Sequence, residues 1–563
     1  MMTTDKTPSK KSFEGKTAGP AAGDKPNAPD QSCLWCWIAI VAVLIAAAVI
    51  RGRLLAIPFE RDEGEYAYIA QQMLKGVLPY ESAYSMKLPG IYAVYAVILA
   101  VFGQTQTAVH LGLLIVNAAT ILIIFLFAKN LFGPLAGVAS GCAYAIISLT
   151  AQVNGLMANA EHFVVLPALA GLLLIYKTNN ERRYIRLLAA GLLLGLAFII
   201  KQHGVFFAVF GAIYLLYCDL HQRRVQLKKA IVAQLVLAAG IVIPFGLTCL
   251  VLLKAGVFDK FWFWAFTYAR EYATTVSLFN AWMLFKEQSR CIVAESPLIW
   301  FFALLGLFAV IIVRRYRQWA VFVLGLLLFS FLAVCPGFYF RGHYFVFLLP
   351  AVAILAGAGF ASIDRMLSFI KKLSALGRTI ITGAIVLAIA GYSLYQQRTY
   401  LLDNPPDIVC RLIYGVNPFP ESPRIAEFIR DNSRPDDTIA VVGSEPQIYF
   451  YSKRRSASRY IYMYPLMEGH NYAAEMQKEM IKEIESAKPE FIVFVNVYMS
   501  WLAGAGSVQD IFTWFNSYVN NYYNLVGTID IPSSGQTAYY WNDQAAGHTP
   551  VSENWVVVFK KRQ

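Results

Sequence analysis

Phe59-Glu60-Arg61-Asp62-Glu63-Gly64-Glu65-Tyr66 follows directly on a long apolar run that ends near Ile50. Four acids and one arginine therefore stand at a membrane surface, at the exit of the first hydrophobic segment. A charge run at a helix end is ordinarily a solvated loop. The rest of the chain weighs against that reading, because its other polar clusters fall on the same face. Asp62 is read as a catalytic base, and Glu63 as a site-shaping or metal-supporting acid. Two adjacent carboxylates cannot both point into one small site on most backbones. Gly64 is expected to permit a tight turn. Residues 65–75 then read as a short amphipathic helix lying at the surface.

Of 563 residues, 57% are hydrophobic and only 15% charged, and the mean hydropathy is +0.50. Soluble domains average about 25% charged residues, so this is an integral membrane protein with some soluble mass. The net charge of +13 invites a nucleic-acid partner. That reading is rejected, because Lys and Arg cluster in short loops between apolar runs, where they set topology. Eight cysteines are scattered, mostly in or beside hydrophobic segments, where a free Cys behaves as a small apolar residue. Cys33-Leu34-Trp35-Cys36 has redox-motif spacing, but no second pair completes a zinc site. Only Cys410 lies beyond residue 400, so no internal disulfide framework is available there.

Residues 1–32 read as a disordered cytoplasmic tail. Apolar runs at 33–50, 107–128, 134–150, 161–176, 187–200, 204–217, 230–254, 296–313, 319–335, 344–362 and 378–396 read as eleven spans. The first reads as an uncleaved signal-anchor. The run at 88–102 is short and begins at Pro89-Gly90. Basic loops at 177–186, 223–229, 314–317 and 365–378 belong in the cytoplasm by the positive-inside rule. That holds only if 88–102 does not cross, and lies as a juxtamembrane or re-entrant helix on the outer side. The segments 51–106, 151–160, 201–203, 255–295, 336–343 and everything after about 397 then fall outside.

Residues 33–400 form the membrane part, and 401–563 a small extracytoplasmic α/β domain. There, helices are expected at 423–432, 471–487 and 507–518, and strands at 437–443, 491–497 and 555–559, in a partly parallel sheet. The chain has no G-x-G-x-x-G and no P-loop lysine motif, so a nucleotide site is not expected.

Lys87 is read either as a phosphate contact or as an interfacial anchor. Glu161 suits a helix N-terminus; alternatively, with His162, it reaches into the site. Lys201-Gln202-His203 lies between two short apolar runs. A hairpin there avoids a buried mid-membrane charge, which costs about 2.5–3.5 kcal/mol, and points an ammonium to where a lipid phosphate would lie. Arg341 offers a bidentate fork for a phosphate, assisted by His343 and Tyr344, or it is a snorkelling anchor. The aromatic segment 256–291 reads as an amphipathic interfacial loop, whose aromatics are expected to anchor rather than bind.

Arg61-Asp62-Glu63-Gly64-Glu65-Tyr66-Ala67-Tyr68-Ile69-Ala70 and Lys87-Leu88-Pro89-Gly90-Ile91-Tyr92 together resemble a known group. Asn159-Ala160-Glu161, Lys201-Gln202 and Arg341-Gly342-His343-Tyr344 followed by Leu349-Pro350 add to the likeness. The group is the GT-C superfamily of membrane glycosyltransferases, and more narrowly the bacterial protein O-mannosyltransferase and aminoarabinose-transferase-like family. The resemblance covers about residues 35–400. It implies a polytopic helical membrane fold and a polyprenyl-phosphate-linked monosaccharide donor. It also implies transfer with inversion on the outer face of a bacterial inner membrane. It maps the acceptor-activating aspartate onto Asp62, and donor-phosphate binding onto Lys201 and Arg341, joined here by His343 and Lys87. Arg61, Glu65, Tyr66, Asn159, Glu161, Gln202 and Tyr344 are further candidate site residues. No cofactor is established by the resemblance, and a divalent metal is left open. The acceptor is a lipid, a glycan or a protein. A flippase for lipid-linked sugars and a non-catalytic scaffold are the alternatives. A transporter would place charges near mid-membrane, whereas here they gather on one face.

Overall fold

The computed structural model describes residues 34–176, 182–222 and 225–562; the expected tail at 1–32 and the thiol of Cys33 lie outside the described residues. Each expected span is a helix: Leu34–Arg53, Gln106–Phe132, Pro134–Ile147, Ala160–Tyr176, Arg183–Ile200, Val205–Leu220, Leu227–Lys254, Pro297–Ile312, Ala320–Val334, Leu349–Leu367 and Ala375–Gln396. By length and composition, seven helices can cross a membrane, or eight if the bent pair Leu278–Glu295 and Pro297–Ile312 is one span. Pro134–Ile147, Ala160–Tyr176 and Ala320–Val334 are apolar but shorter. At 1.5 Å per residue, a helix of roughly 14 residues reaches about 21 Å, less than the ~30 Å hydrocarbon core. Most residues of Pro134–Ile147 and of Ala160–Tyr176 are buried inside the bundle. The 13-residue helix Gly90–Phe102 is shorter still, in keeping with a segment that does not cross.

Small residues let the helices approach. A Cβ on Gly191 would meet the backbone of Leu237 and Gly240, and one on Gly359 the backbone of Phe302 and Gly306. Such close packing is what associates helices in lipid, where the hydrophobic effect gives no drive between them.

The C-terminal domain is a six-stranded sheet in the order β2-β1-β3-β6-β4-β5. Its strands are β1 (Thr438–Val442), β2 (Arg455–Ser456), β3 (Phe491–Asn496), β4 (Tyr523–Asp530), β5 (Ala538–Trp541) and β6 (Trp555–Lys561). β1 runs parallel to β2 and β3, and the remaining pairs are antiparallel. The three expected strands are β1, β3 and β6, and the expected helices lie at Ser422–Asp431, Ala473–Ala487 and Asp510–Tyr522. β2 is two residues long, and β4 carries Asn524 and Gly527 with a register shift between Leu525 and Gly527. Their apolar patterns were therefore too short or too interrupted to read as strands.

The juxtamembrane helix joins the two parts and corrects three expectations. It begins at Arg61 rather than residue 65 and spans Arg61–Leu74, and nearly all of it is buried rather than lying at a surface. Its N-terminus is a capping box: the Glu60 side chain accepts from the Glu63 amide, and the Glu63 side chain from the Glu60 amide. Gly64 makes no turn. It lies within this helix, where a Cβ would come 2.6 Å from the Gln447 nitrogen of the C-terminal domain. Only glycine permits that contact.

Candidate active site

Asp62 and Glu65 are three residues apart on the Arg61–Leu74 helix and so share a face. Both accept from Lys87 Nζ, each at 2.8 Å. The Tyr462 hydroxyl donates to the same Asp62 oxygen at 2.6 Å, and Tyr92 donates to Glu65 Oε1 at 2.8 Å. The Tyr66 ring lies under Lys87, with Nζ 4.7 Å from its centroid. Burial pushes the Asp62 carboxyl up, but the Lys87 ammonium, His343 and the two hydrogen bonds hold it well below the usual carboxylate range. Burial works against the Lys87 charge in turn, and Asp62 and Glu65 more than restore it. Lys87 lies on the cavity rather than at the lipid surface. It is the shared partner of two acids.

Glu63 faces the opposite way. It is fully buried; its Oε1 accepts from the Ala158 amide at 2.6 Å and meets His110 Nε2 at 2.8 Å. It fixes where the helix starts and does not line the cavity, so a direct catalytic role does not fit its position. Among the described residues, no group of three or more His, Cys, Asp or Glu is arranged to hold a metal. Glu60 accepts from Asn159 Nδ2 at 3.0 Å. Burial, then Asp62 and Glu63, push its pKa up to about 8, which favours its neutral form. Arg61 also points away from the cavity, to Glu445 at 2.9 Å and to Tyr464 and Asn417.

Lys201 stands at the break between Arg183–Ile200 and Val205–Leu220, as the short apolar runs implied. It pairs with Glu161 and lies 4.4 Å from the Tyr344 ring centroid. Glu161 is thus both a first-turn acid of the Ala160–Tyr176 helix and a member of the site. His162 is buried and does not line the cavity. Gln202 donates to the Met86 and Ala265 carbonyls and ties down the rim. Arg341 donates to the Tyr272 hydroxyl at 3.2 Å. Among the described residues, no carboxylate lies within 4 Å of its guanidinium. Burial lowers the His343 pKa to about 4, so this imidazole is neutral at neutral pH.

Asp62, Glu65, Lys87, Lys201, Arg341, His343 and Tyr344 line one cavity of about 680 Å³, its open mouth included. Residues not foreseen complete it. Trp264, Tyr268 and Tyr272 come from the aromatic segment expected only to anchor, and Tyr462 and Tyr464 from the C-terminal domain. The aromatic richness of 256–291 was the available signal for the first set; for Tyr462 there was none beyond its neighbourhood. The arrangement brings two carboxylates, three cations and several phenol hydroxyls around a space open to ligand. It can take up an anion and accept a proton beside it.

Residues 87–247 match the family model described as dolichyl-phosphate-mannose-protein mannosyltransferase. No curated protein sequence matches the chain. Among solved structures, ArnT from Cupriavidus metallidurans in the apo state is 15% identical, with a TM-score of 0.52, over 94% of this chain and 98% of that one. The same protein bound to undecaprenyl phosphate is 16% identical, with a TM-score of 0.51, over 83% of this chain and 94% of that one. At such identities the likeness establishes the fold alone: the chain is folded like ArnT.

Proposed function

We infer that this chain, a GT-C-type membrane protein by its fold, is a glycosyltransferase. It moves a monosaccharide from a polyprenyl-phosphate donor to an acceptor on the outer face of the membrane. The observation that carries the reading is the meeting of Asp62 with Lys87, Lys201 and Arg341 on one cavity. The match to ArnT bound to undecaprenyl phosphate supports a lipid-phosphate donor. A cytoplasmic N-terminus and an external C-terminal domain are the orientation that the positive-inside rule favours, and an inner-membrane location is carried over from the family resemblance.

A polyprenyl-phosphate sugar is already activated, because its leaving group is a phosphate. The site need only hold that anion and deprotonate the acceptor. Arg341 has no carboxylate partner within 4 Å among the described residues, so it is the most available cation for the phosphate, with Lys201 beside it. An acceptor nucleophile hydrogen-bonded to Asp62 attacks the anomeric carbon as the carbon–phosphate-oxygen bond breaks. The proton passes to Asp62, and polyprenyl phosphate leaves with its charge held by Arg341 and Lys201. One in-line displacement inverts the anomeric centre. A strongly ionised carboxylate is a weak base. Donor phosphate competing for Lys87 would loosen its grip on Asp62 and raise the base's proton affinity when substrate is bound.

The test is release of free polyprenyl phosphate from a panel of polyprenyl-phosphate monosaccharides, in membranes carrying wild type or Asp62→Asn. Release from one donor, lost in the variant, is expected. Movement of intact donor between leaflets without release would favour the flippase.

A further inference from the structure

We propose that Lys75, Lys453 and Arg455 form a binding site for the anionic phosphate headgroup of a lipid in the leaflet on the C-terminal-domain side. Lys75 is the residue that ends the Arg61–Leu74 helix. Lys453 caps the short helix before β2, and Arg455 is the first residue of β2. Two contacts bring these segments together: the Tyr68 hydroxyl accepts from the Ser456 amide at 2.9 Å, and Gln71 Nε2 donates to the Phe450 carbonyl at 3.4 Å. All three cations are exposed. Arg455, Arg454 and Lys453, after burial, each depress the Lys75 pKa, which places like charges around it.

Nearby acids are engaged elsewhere. Glu479 and Glu483 pair with Arg459, Asp431 with Arg430, and Asp437 accepts from the Arg434 amide. Glu81 lines the same polar cleft as Arg455. Among the described residues, no carboxylate is within 4 Å of Lys75, Lys453 or Arg455. Arg454 does not join the site; it is buried and donates to the Ser452, Arg430 and Ser433 carbonyls. It therefore fixes the turn from which its two neighbours project. Lys453 has a φ of 58°, a left-handed conformation that disfavours a β-carbon and that glycine or asparagine would fill without a charge.

The helix that ends at Lys75 is tied to the start of a candidate membrane span. Gln71, one turn before Lys75, bonds to Gln104 at 3.1 Å, in the link between Gly90–Phe102 and the spanning helix Gln106–Phe132. Leu74, Val101 and Phe102 beside it are exposed apolar side chains suited to lipid tails. Cations on this side run against the topology rule that puts Lys and Arg at the opposite end, and an anionic lipid supplies the missing partner.

The inference does not depend on the glycosyltransferase reading, because its test measures binding. The full chain in detergent is incubated with radiolabelled phosphatidylglycerol or phosphatidylcholine, and retained lipid is counted after gel filtration. A Lys75→Gln/Lys453→Gln/Arg455→Gln variant is expected to bind phosphatidylglycerol more weakly by on the order of 100-fold, and each single variant by roughly fivefold. Phosphatidylcholine retention stays unchanged, and millimolar inorganic phosphate does not displace the lipid. Equal phosphatidylglycerol retention by wild type and by the single variants overturns the proposal. Full displacement by inorganic phosphate overturns it too, in favour of a soluble-anion site.

Discussion

The Tyr462 hydroxyl donates to Asp62 Oδ1 at 2.6 Å, although the two residues are 400 positions apart. The C-terminal domain therefore supplies part of the cavity wall and one of the two hydrogen bonds that hold the Asp62 carboxylate. Its attachment is equally direct, through Arg61 to Glu445 at 2.9 Å.

Tyr462→Phe removes this hydrogen bond and keeps the ring beside Lys87. The bond also fixes where the Asp62 carboxylate points, and losing that alignment should lower turnover by up to about 100-fold although the freed carboxylate is the stronger base. The bond helps keep the Asp62 pKa low, so its loss raises that pKa. The acid limb of the kcat/KM profile should move to higher pH. A slower variant with an unmoved limb would mean that Tyr462 acts only as wall.

Arg341→Ala should weaken donor use, with kcat/KM for the donor down by roughly 10- to 100-fold, in line with the loss of one charge-assisted contact. Arg341→Lys restores the charge without the planar fork, so it should recover only part of the loss. Steady-state kinetics with varied donor separates the two. An unaffected Arg341→Ala enzyme would remove this residue from phosphate binding.

Glu60 gives a stability signature. Its folded pKa is raised to about 8, so between its ordinary value and 8 the folded state binds more protons than the unfolded state. Stability must then fall as pH rises through that window. Glu60→Gln keeps an oxygen for the Glu63 amide and Asn159 and cannot ionise. Melting curves from about pH 6 to pH 9 should slope less steeply downward for the variant. Parallel slopes would show that Glu60 is not buried as an acid.

Gly64→Ala forces a methyl into the Gln447 backbone. Overpacking of this kind costs about 1–3 kcal/mol, and here the strain falls on the join between membrane part and C-terminal domain. Limited proteolysis should cut the variant between the two parts at lower protease concentration than wild type, with activity reduced in step. A variant as resistant as wild type would mean the helices separate without cost.

The sequence carried the membrane architecture well, because a bilayer imposes long apolar runs and places cations between them. It also carried Asp62, Lys201 and Arg341, each marked by a charge at the end of an apolar run. The division of labour between Asp62 and Glu63 needed the helix phase. Once Arg61 opens a helix, Asp62 and Glu65 share one face and Glu60 and Glu63 close a capping box, but Gly64 concealed that start by suggesting a turn. Tyr462 and Tyr464 were beyond reach, because their role arises from packing between distant segments and leaves no local pattern. The short strands β2 and β5 and the interrupted β4 failed for lack of alternation.

The long-range Asp62–Tyr462 contact also sets a timetable. Ribosomes add about 5–20 residues per second, so Asp62 emerges on the order of half a minute before the tyrosine that completes its surroundings. During synthesis the bundle can insert while its cavity still lacks a wall. The cavity is complete only when the last domain has closed over the juxtamembrane helix, so a chain stalled or clipped before β1 would be a membrane protein whose cavity lacks Tyr462 and Tyr464.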